Sequence, residues 1–247
     1  MKRPLVEITA IYIIILLAGY LTYIIVPIEN NLCAMLVADL MMTIVSYAFS
    51  LMKKNSSVYD AYWSVIPFFF IFVWMSDAPF TLSIYHWFVA IVFSVWSWRL
   101  TFNWARSWTG WQHEDWRYVD FRTQYPTSFE FINFFGIHLF PTLMVFAGSS
   151  ALYYFFNSEF ILFPGWCIVG SLFSVTGILL EFFADNTLFN YRKQANKKEG
   201  EVLREGLWKY SRNPNYLGEM LFWIGVAIAG NSVGDVPIWT VFGAIAM

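Results

Sequence analysis

Runs of about twenty residues without a single Asp, Glu, Lys or Arg recur along this chain, and they decide what it can fold into. Residues 8–28, 78–98, 131–158 and 160–180 carry no such charge, and residues 30–52 carry one, Asp39. Each run has the ~20 residues a helix needs to cross the hydrocarbon layer. In that layer every backbone N–H and C=O must be bonded within the segment, which favours helices. Shorter apolar runs at 61–76 and 220–234 end on polar residues able to reach an interface. Only 13% of residues are charged and 58% are hydrophobic, against roughly 25% charged in soluble domains. The chain therefore reads as all-α, a polytopic integral membrane protein with seven transmembrane helices. A partial eighth begins near Val236 and reaches only to Met247, so the sequence reads as incomplete at its C-terminus. The first run is too long for a signal-peptide core and lacks a small-residue cleavage site, so it reads as a retained helix.

Charge fixes an orientation. The fifteen Lys and Arg residues all fall on one side of these spans. Lys2 and Arg3 precede the first, and Lys53 and Lys54 follow the second. Arg99, Arg106, Arg117 and Arg122 end or follow the fourth, and Arg192 to Arg212 follow the sixth. The opposite connections hold Glu29, Asp77, Glu159 and Asp235. By the positive-inside rule the N-terminus and the long basic loops are cytoplasmic. Chemistry is expected on that face.

The chain shows no Gly/Ser-rich linker and no internal repeat, so residues 1–247 read as one membrane domain. A formal charge of −2 predicts no nucleic-acid partner. Cys33 and Cys167 stand alone in apolar stretches and read as small core residues. No Cys, His and acid cluster has metal-ligand spacing, and no P-loop or Rossmann fingerprint is present. A nucleotide site here has to be built from helices and loops.

Four constellations carry chemistry. Glu181, Asp185 and Arg192 are spaced by four and seven, which places them on one helix face. A carboxylate there holds a ribose hydroxyl or an amide, an arginine holds a phosphate, and an ion pair closing the helix end is the plainer reading. Asn213 suits an N-cap and Pro214 a first helical position. The helix they open offers N–H groups to an anion, with Arg212 before it and Tyr216 and Glu219 one turn in. Arg99, Asn103 and Arg106 share a face ahead of a Glu114–Asp115–Arg117 cluster, where a lid, a salt-bridge knot and direct binding by Arg106 all remain open. Asp39 lies ~12–13 Å of helix rise into its span, where an acid is costly and a functional candidate by default. Asp60 opens the third span between Tyr59 and Tyr62. A tyrosine and a protonated carboxyl are what polarising a carbonyl in an apolar pocket requires, so Asp39, Asp60 and Tyr62 are the candidate catalytic residues. His86 and His138 read as packing or hydrogen-bonding residues.

The segment GLWKYSRNPNYLGE (206–219) resembles the GLW-x-YSRHPNY-x-GE signature of the membrane steroid 5α-reductase superfamily. More closely, the chain is similar to the branch with a steroid 5α-reductase-like C-terminal domain, here about 130–247. KNSSVYDAYWSVIP (54–67), WSWRLTFNWAR (96–106), HEDWRYVDFR (113–122) and EFFADNTLFNYRK (181–193) have collinear counterparts in that branch. The resemblance implies an NADPH-dependent oxidoreductase acting on CH–CH groups of a lipophilic, steroid- or enone-like substrate. It places Asp185, Arg192, Arg212, Asn215, Tyr216 and Glu219 where the superfamily holds the dinucleotide, and Asp39 on the helix that supplies an acid to the substrate pocket. Asn213 stands where a His is usual and Thr187 where a Gln is usual, which bears on NADPH over NADH. An S-adenosylmethionine-dependent methyltransferase shares the Arg212-x-Pro214-x-Tyr216 region, and a non-catalytic relative that keeps the fold is the other alternative. The implied location is the endoplasmic reticulum in a eukaryote or the inner membrane in a bacterium, with membrane lipids as neighbours.

Overall fold

The uncharged runs fold as helices, and the polar residues flanking them shift the ends. A computed structural model describes residues 3–193 and 202–246; Lys2, Lys197 and Lys198 of the basic segments lie outside them. The helices are α1 (Arg3–Ile25), α2 (Asn31–Lys53), α3 (Tyr62–Ser76), α4 (Ile84–Ser107) and α5 (Trp116–Gln124). They are followed by α6 (Phe129–Phe156), α7 (Pro164–Arg192), α8 (Pro214–Gly230) and α9 (Trp239–Ala246). Short 3-10 turns occupy Ser56–Tyr59, Gly206–Lys209 and Asn231–Val233. No strand occurs among the described residues. Among the described residues six segments are long and apolar enough to cross a membrane: Pro4–Ile25, Asn31–Lys53, Ser56–Ser76, Phe129–Phe156, Pro164–Arg192 and Pro214–Val233. The chain is thus an all-α protein of multi-pass character. Helix α4 has comparable length but carries Arg99, Asn103 and Arg106 in its second half.

Two boundaries matter for function. The sixth expected span, 160–180, is helical from Pro164 onward and belongs to a longer helix, since α7 runs on to Arg192 and carries Glu181 and Asp185 with it. Helix α6 is π-helical over Ile132–Leu139, immediately before Pro141. Proline has no N–H to donate and its ring crowds the preceding turn, and one added residue per turn is a common answer.

The chain groups into two compact units, Met1–Ser76 with Leu100–Ala147 and Asp77–Arg99 with Gly148–Met247. The divisions fall inside α4 and α6.

In the first unit α1 packs along α2, with Gly19 of α1 against the Met42 side chain. Asn30 caps α2 by accepting from the Cys33 N–H at 3.0 Å, and Lys54 ends it in the left-handed region at φ 50°. The buried Asn55 side chain then ties two loops together. It accepts from the Ser57 N–H at 2.9 Å and donates to the Trp111 and His113 carbonyls, both at 3.0 Å. Glu114 accepts from the Ser56 N–H and from Arg122, and the Arg122 guanidinium lies 4.0 Å over the Phe129 ring. Glu114 thus pairs with Arg122 rather than with Arg117 of its own cluster, and these bonds fix the entry to α5.

The second unit is organised by glycine. Gly170 and Gly177 of α7 face Gly225 and Gly218 of α8, and a Cβ on any of them would strike backbone of the other helix. Spacings of seven keep each pair on one face. Phe222, between the two glycines of α8, and Trp223 beside it reach α4 with their rings, and Trp96 stacks on Phe222 at 4.4 Å with 9° between the rings. His86 is buried and faces the Phe155 and Ser158 carbonyls, at 3.2 and 3.0 Å.

Candidate functional site

Two polar clusters stand inside this apolar framework, one in each unit. The first is built on Asp39, which is 1% exposed. The Tyr62 hydroxyl donates to its Oδ1 at 2.8 Å. That hydroxyl also lies 3.0 Å from Thr43 Oγ1, which is 2.9 Å from Thr142 Oγ1, which is 2.8 Å from the Tyr59 hydroxyl. Tyr59 and Tyr62 stack at 4.7 Å with 15° between the rings, and His138 stands 4.9 Å from Tyr59. Three hydroxyls thus connect a buried acid to that of Tyr59, and Tyr59 lines a cavity of about 460 Å3. Each hydroxyl has one proton to donate, so a line of protons running away from Asp39 requires Thr43 and Thr142 to turn from the carbonyls to which they also donate.

Asp39 and Tyr62 are therefore brought together, as the two candidates most needing a partner. Asp60 is not part of that pair. It also lines the cavity, where its Oδ1 accepts from the Tyr118 hydroxyl at 3.0 Å. Burial first, and the Asp60 charge second, push the Tyr118 phenol above its ordinary value, so it stays a donor at neutral pH. Thr43, Thr142 and Tyr118 had no signal in the sequence. Threonines in an apolar helix normally bond the carbonyl four residues back, and Thr43 and Thr142 do that as well.

Asp115 caps α5 and holds Arg117 by two bonds, 2.8 and 3.0 Å. Burial alone would raise the Asp115 carboxyl; the hydrogen bonds and charge of Arg117 outweigh it and hold it below its usual value. A depressed carboxyl contributes stability that is full above its unfolded pKa of ~4 and is lost as pH falls through the folded value. Protection of the amides 116–124 against hydrogen exchange, corrected for intrinsic rate, should hold from pH 8 to pH 5 and fall below about pH 4. Asp115→Asn should remove that pH step.

The second cluster lies in the other unit. Arg99 Nη1 donates to Asp185 Oδ2 at 2.7 Å, and Arg99 Nη2 donates to Glu181 Oε2. The partner of these acids is thus Arg99, whereas Arg192 is exposed in the last turn of α7. Glu219 accepts from Trp223 Nε1 at 2.8 Å and Trp96 Nε1 at 3.2 Å. The GLW turn is explained locally: Gly206 takes φ +55°, and Trp208 Nε1 donates to the Ala184 carbonyl at 2.9 Å, pinning the turn to α7. Asn213 occupies the N-cap position of α8, but its side chain makes no capping bond. Arg212, Asn213 and Tyr216 are exposed, Tyr216 at 65%, while the Asn215 Oδ1 is buried without a hydrogen-bond partner. Arg106 belongs to the first unit and donates to Asn103 Oδ1 at 2.6 and 2.9 Å. No group of His, Cys, Asp and Glu able to hold a metal occurs among the described residues.

Residues 46–247 match the family described as "Protein of unknown function (DUF1295)". The chain belongs to that family. The DUF1295 region includes Asp60, Tyr62 and the Arg99, Glu181 and Asp185 cluster of the second unit; Asp39 lies just ahead of it. The chain is also similar to "Uncharacterized protein C594.04c" of Schizosaccharomyces pombe, at 25% identity over 231 aligned residues. That alignment covers 82% of this chain and 66% of the yeast protein, so the chain spans a little under two thirds of that relative's length. No solved structure matches the chain.

Proposed function

We propose that this DUF1295 protein is an NADPH-dependent membrane reductase of a carbon–carbon double bond in a lipophilic enone. In this reading α4 completes a set of seven crossing helices with the N-terminus and the basic loops on the cytoplasmic side, and residues 236–246 begin an eighth. The resemblance of residues 206–219 to the steroid 5α-reductase superfamily supplies the reaction class. The observation that carries the reading is the hydroxyl line from the buried Asp39 to Tyr59 at the cavity wall.

The residues expected to hold the cofactor suit it chemically. Arg192 and Arg212 are exposed cations at the ends of α7 and α8, as phosphates require. Asn215 Oδ1 and Glu181 Oε1 are buried acceptors without hydrogen-bond partners, as an amide or ribose hydroxyl requires. Asp185, Asn213, Tyr216 and Glu219 complete the set, with Arg106 as a further cation. NADPH supplies a hydride when bound. The chain's own part is the proton. An un-ionised Asp39 avoids the cost of a charge at membrane depth and gives its proton to Tyr62 Oη as Tyr62 turns its own proton from Asp39 to Thr43 Oγ1. Thr43 and Thr142, turned from the carbonyls four residues back, each take one proton and hand on another, and Tyr59 Oη presents a proton to the carbonyl end of the enone.

NADPH added to the purified protein should raise its melting temperature, and S-adenosylmethionine should not. Tyr62→Phe should retain NADPH binding and lower kcat for enone reduction by about 100-fold, the low end for a lost general acid. Absence of NADPH binding, or full activity in Asp185→Ala and Arg192→Ala, would sink the proposal.

A further inference from the structure

The cavity in the first unit has a chemistry of its own. At about 460 Å3 it falls in the range of small-molecule sites. The rings of Tyr59, Trp63, Trp104, Tyr118 and Phe121 form much of its wall, and its charged residues are Asp60, Asp115 and Arg117. Asp115 and Arg117 neutralise each other through their two hydrogen bonds. That leaves Asp60. The Tyr118 hydroxyl solvates its carboxylate at 3.0 Å but brings no charge, so the wall carries one uncompensated negative group among aromatic faces.

We propose that this cavity binds a lipophilic amine, with the ammonium group against Asp60 and the apolar body between Trp63, Trp104 and Phe121. An ammonium satisfies both features at once, pairing with the carboxylate and resting on electron-rich ring faces. A lipid alcohol gains only a neutral hydrogen bond there. A fatty acid meets the repulsion of Asp60 and finds Arg117 already taken by Asp115. The inference stands on the cavity and needs neither NADPH nor reduction.

The test uses the full chain in nanodiscs and three probes with one skeleton: 1-adamantylmethylamine, 1-adamantylmethanol and 1-adamantanecarboxylate. Calorimetric titration at pH 7, without NADPH, should show the amine binding about tenfold tighter than the alcohol, and the carboxylate weakest, as expected for a charge-assisted bond. Asp60→Asn should erase the advantage of the amine and leave the alcohol unchanged. Arg117→Gln, at a half-exposed position, frees the Asp115 charge and should tighten amine binding further. Equal affinities for the three probes in the wild type, or no binding of any, would overturn the proposal. So would undiminished amine binding in Asp60→Asn. Because no step depends on cofactor, a failed reductase assay and a failed amine titration remain separate results.

Discussion

Replacement of Arg99 by alanine is expected to cost the second unit most of its stability. The Arg99 side chain is 10% exposed, and it bridges Glu181 and Asp185, which are 3% and 10% exposed. Removing it leaves two carboxylates one helical turn apart without the guanidinium that bridges them. Breaking a buried ion pair from one side costs roughly 3–5 kcal/mol, and the repulsion between like charges at this spacing adds to it. Desolvation is the larger part of that penalty, so the loss should be recoverable by removing charge rather than restoring it. Glu181→Gln with Asp185→Asn in the Arg99→Ala background should return much of the stability. Arg99→Lys should rescue poorly, since one ammonium does not span two carboxylates as a planar guanidinium does. Thermal unfolding in detergent, followed by circular dichroism across this set of variants, measures the coupling. A single Arg99→Ala change without loss of stability would mean that the acids find another partner.

That triad also shows where the sequence was legible and where it was not. The helices were readable because a run of uncharged residues has only one way to satisfy its backbone in lipid, and residues 8–28 and 30–52 correspond to α1 and α2. The ends were less readable, because a helix that leaves the membrane continues wherever its next residues favour it. Helix α7 does so through Phe182, Phe183 and Ala184 as far as Arg192. The spacing of Glu181 and Asp185 correctly placed both on one face. Their cation was not readable, since Arg99 is 82 residues from Glu181 and pairing across helices leaves no local periodicity. The nearer Arg192 was the natural local partner. Asp39 and Tyr62 were each readable as costly or useful at depth, but the threonines between Tyr62 and Tyr59 look like any helical threonine. Asn213 was placed correctly as the residue before α8, yet capping is a matter of side-chain orientation, which composition does not set.

Gly177→Val is expected to part α7 from α8. A Cβ at Gly177 would meet the Gly218 carbonyl and lie 2.7 Å from the Phe222 backbone nitrogen. These neighbours are main chain in a helix, so no rotamer change relieves the clash and the two axes must separate. Separation carries the rest of the seam with it. Gly170 lies as close to Ala229, Gly225 lies against Ser174, and the Ser174 hydroxyl donates to the Phe222 carbonyl at 3.1 Å. Between membrane helices, stability comes from close packing and hydrogen bonds rather than from excluding water. A gap therefore forfeits the interaction that holds the pair. Overpacking in a well-filled core costs about 1–3 kcal/mol, and a backbone clash repeated along a seam should fall at or above the top of that range. The same helix provides the control. Gly165, in the first turn of α7, has nothing within 4 Å of where its Cβ would be, and Gly165→Ala should shift stability by less than about 0.5 kcal/mol. Unfolding of the two variants in one detergent, read by circular dichroism, decides the matter. The seam matters for the site because Glu181 sits one turn beyond Gly177, with its side chain against Gly218. A valine that opens the helices should also loosen the Arg99 bridge, and combining Gly177→Val with Arg99→Ala should therefore cost less than the sum of the two single changes.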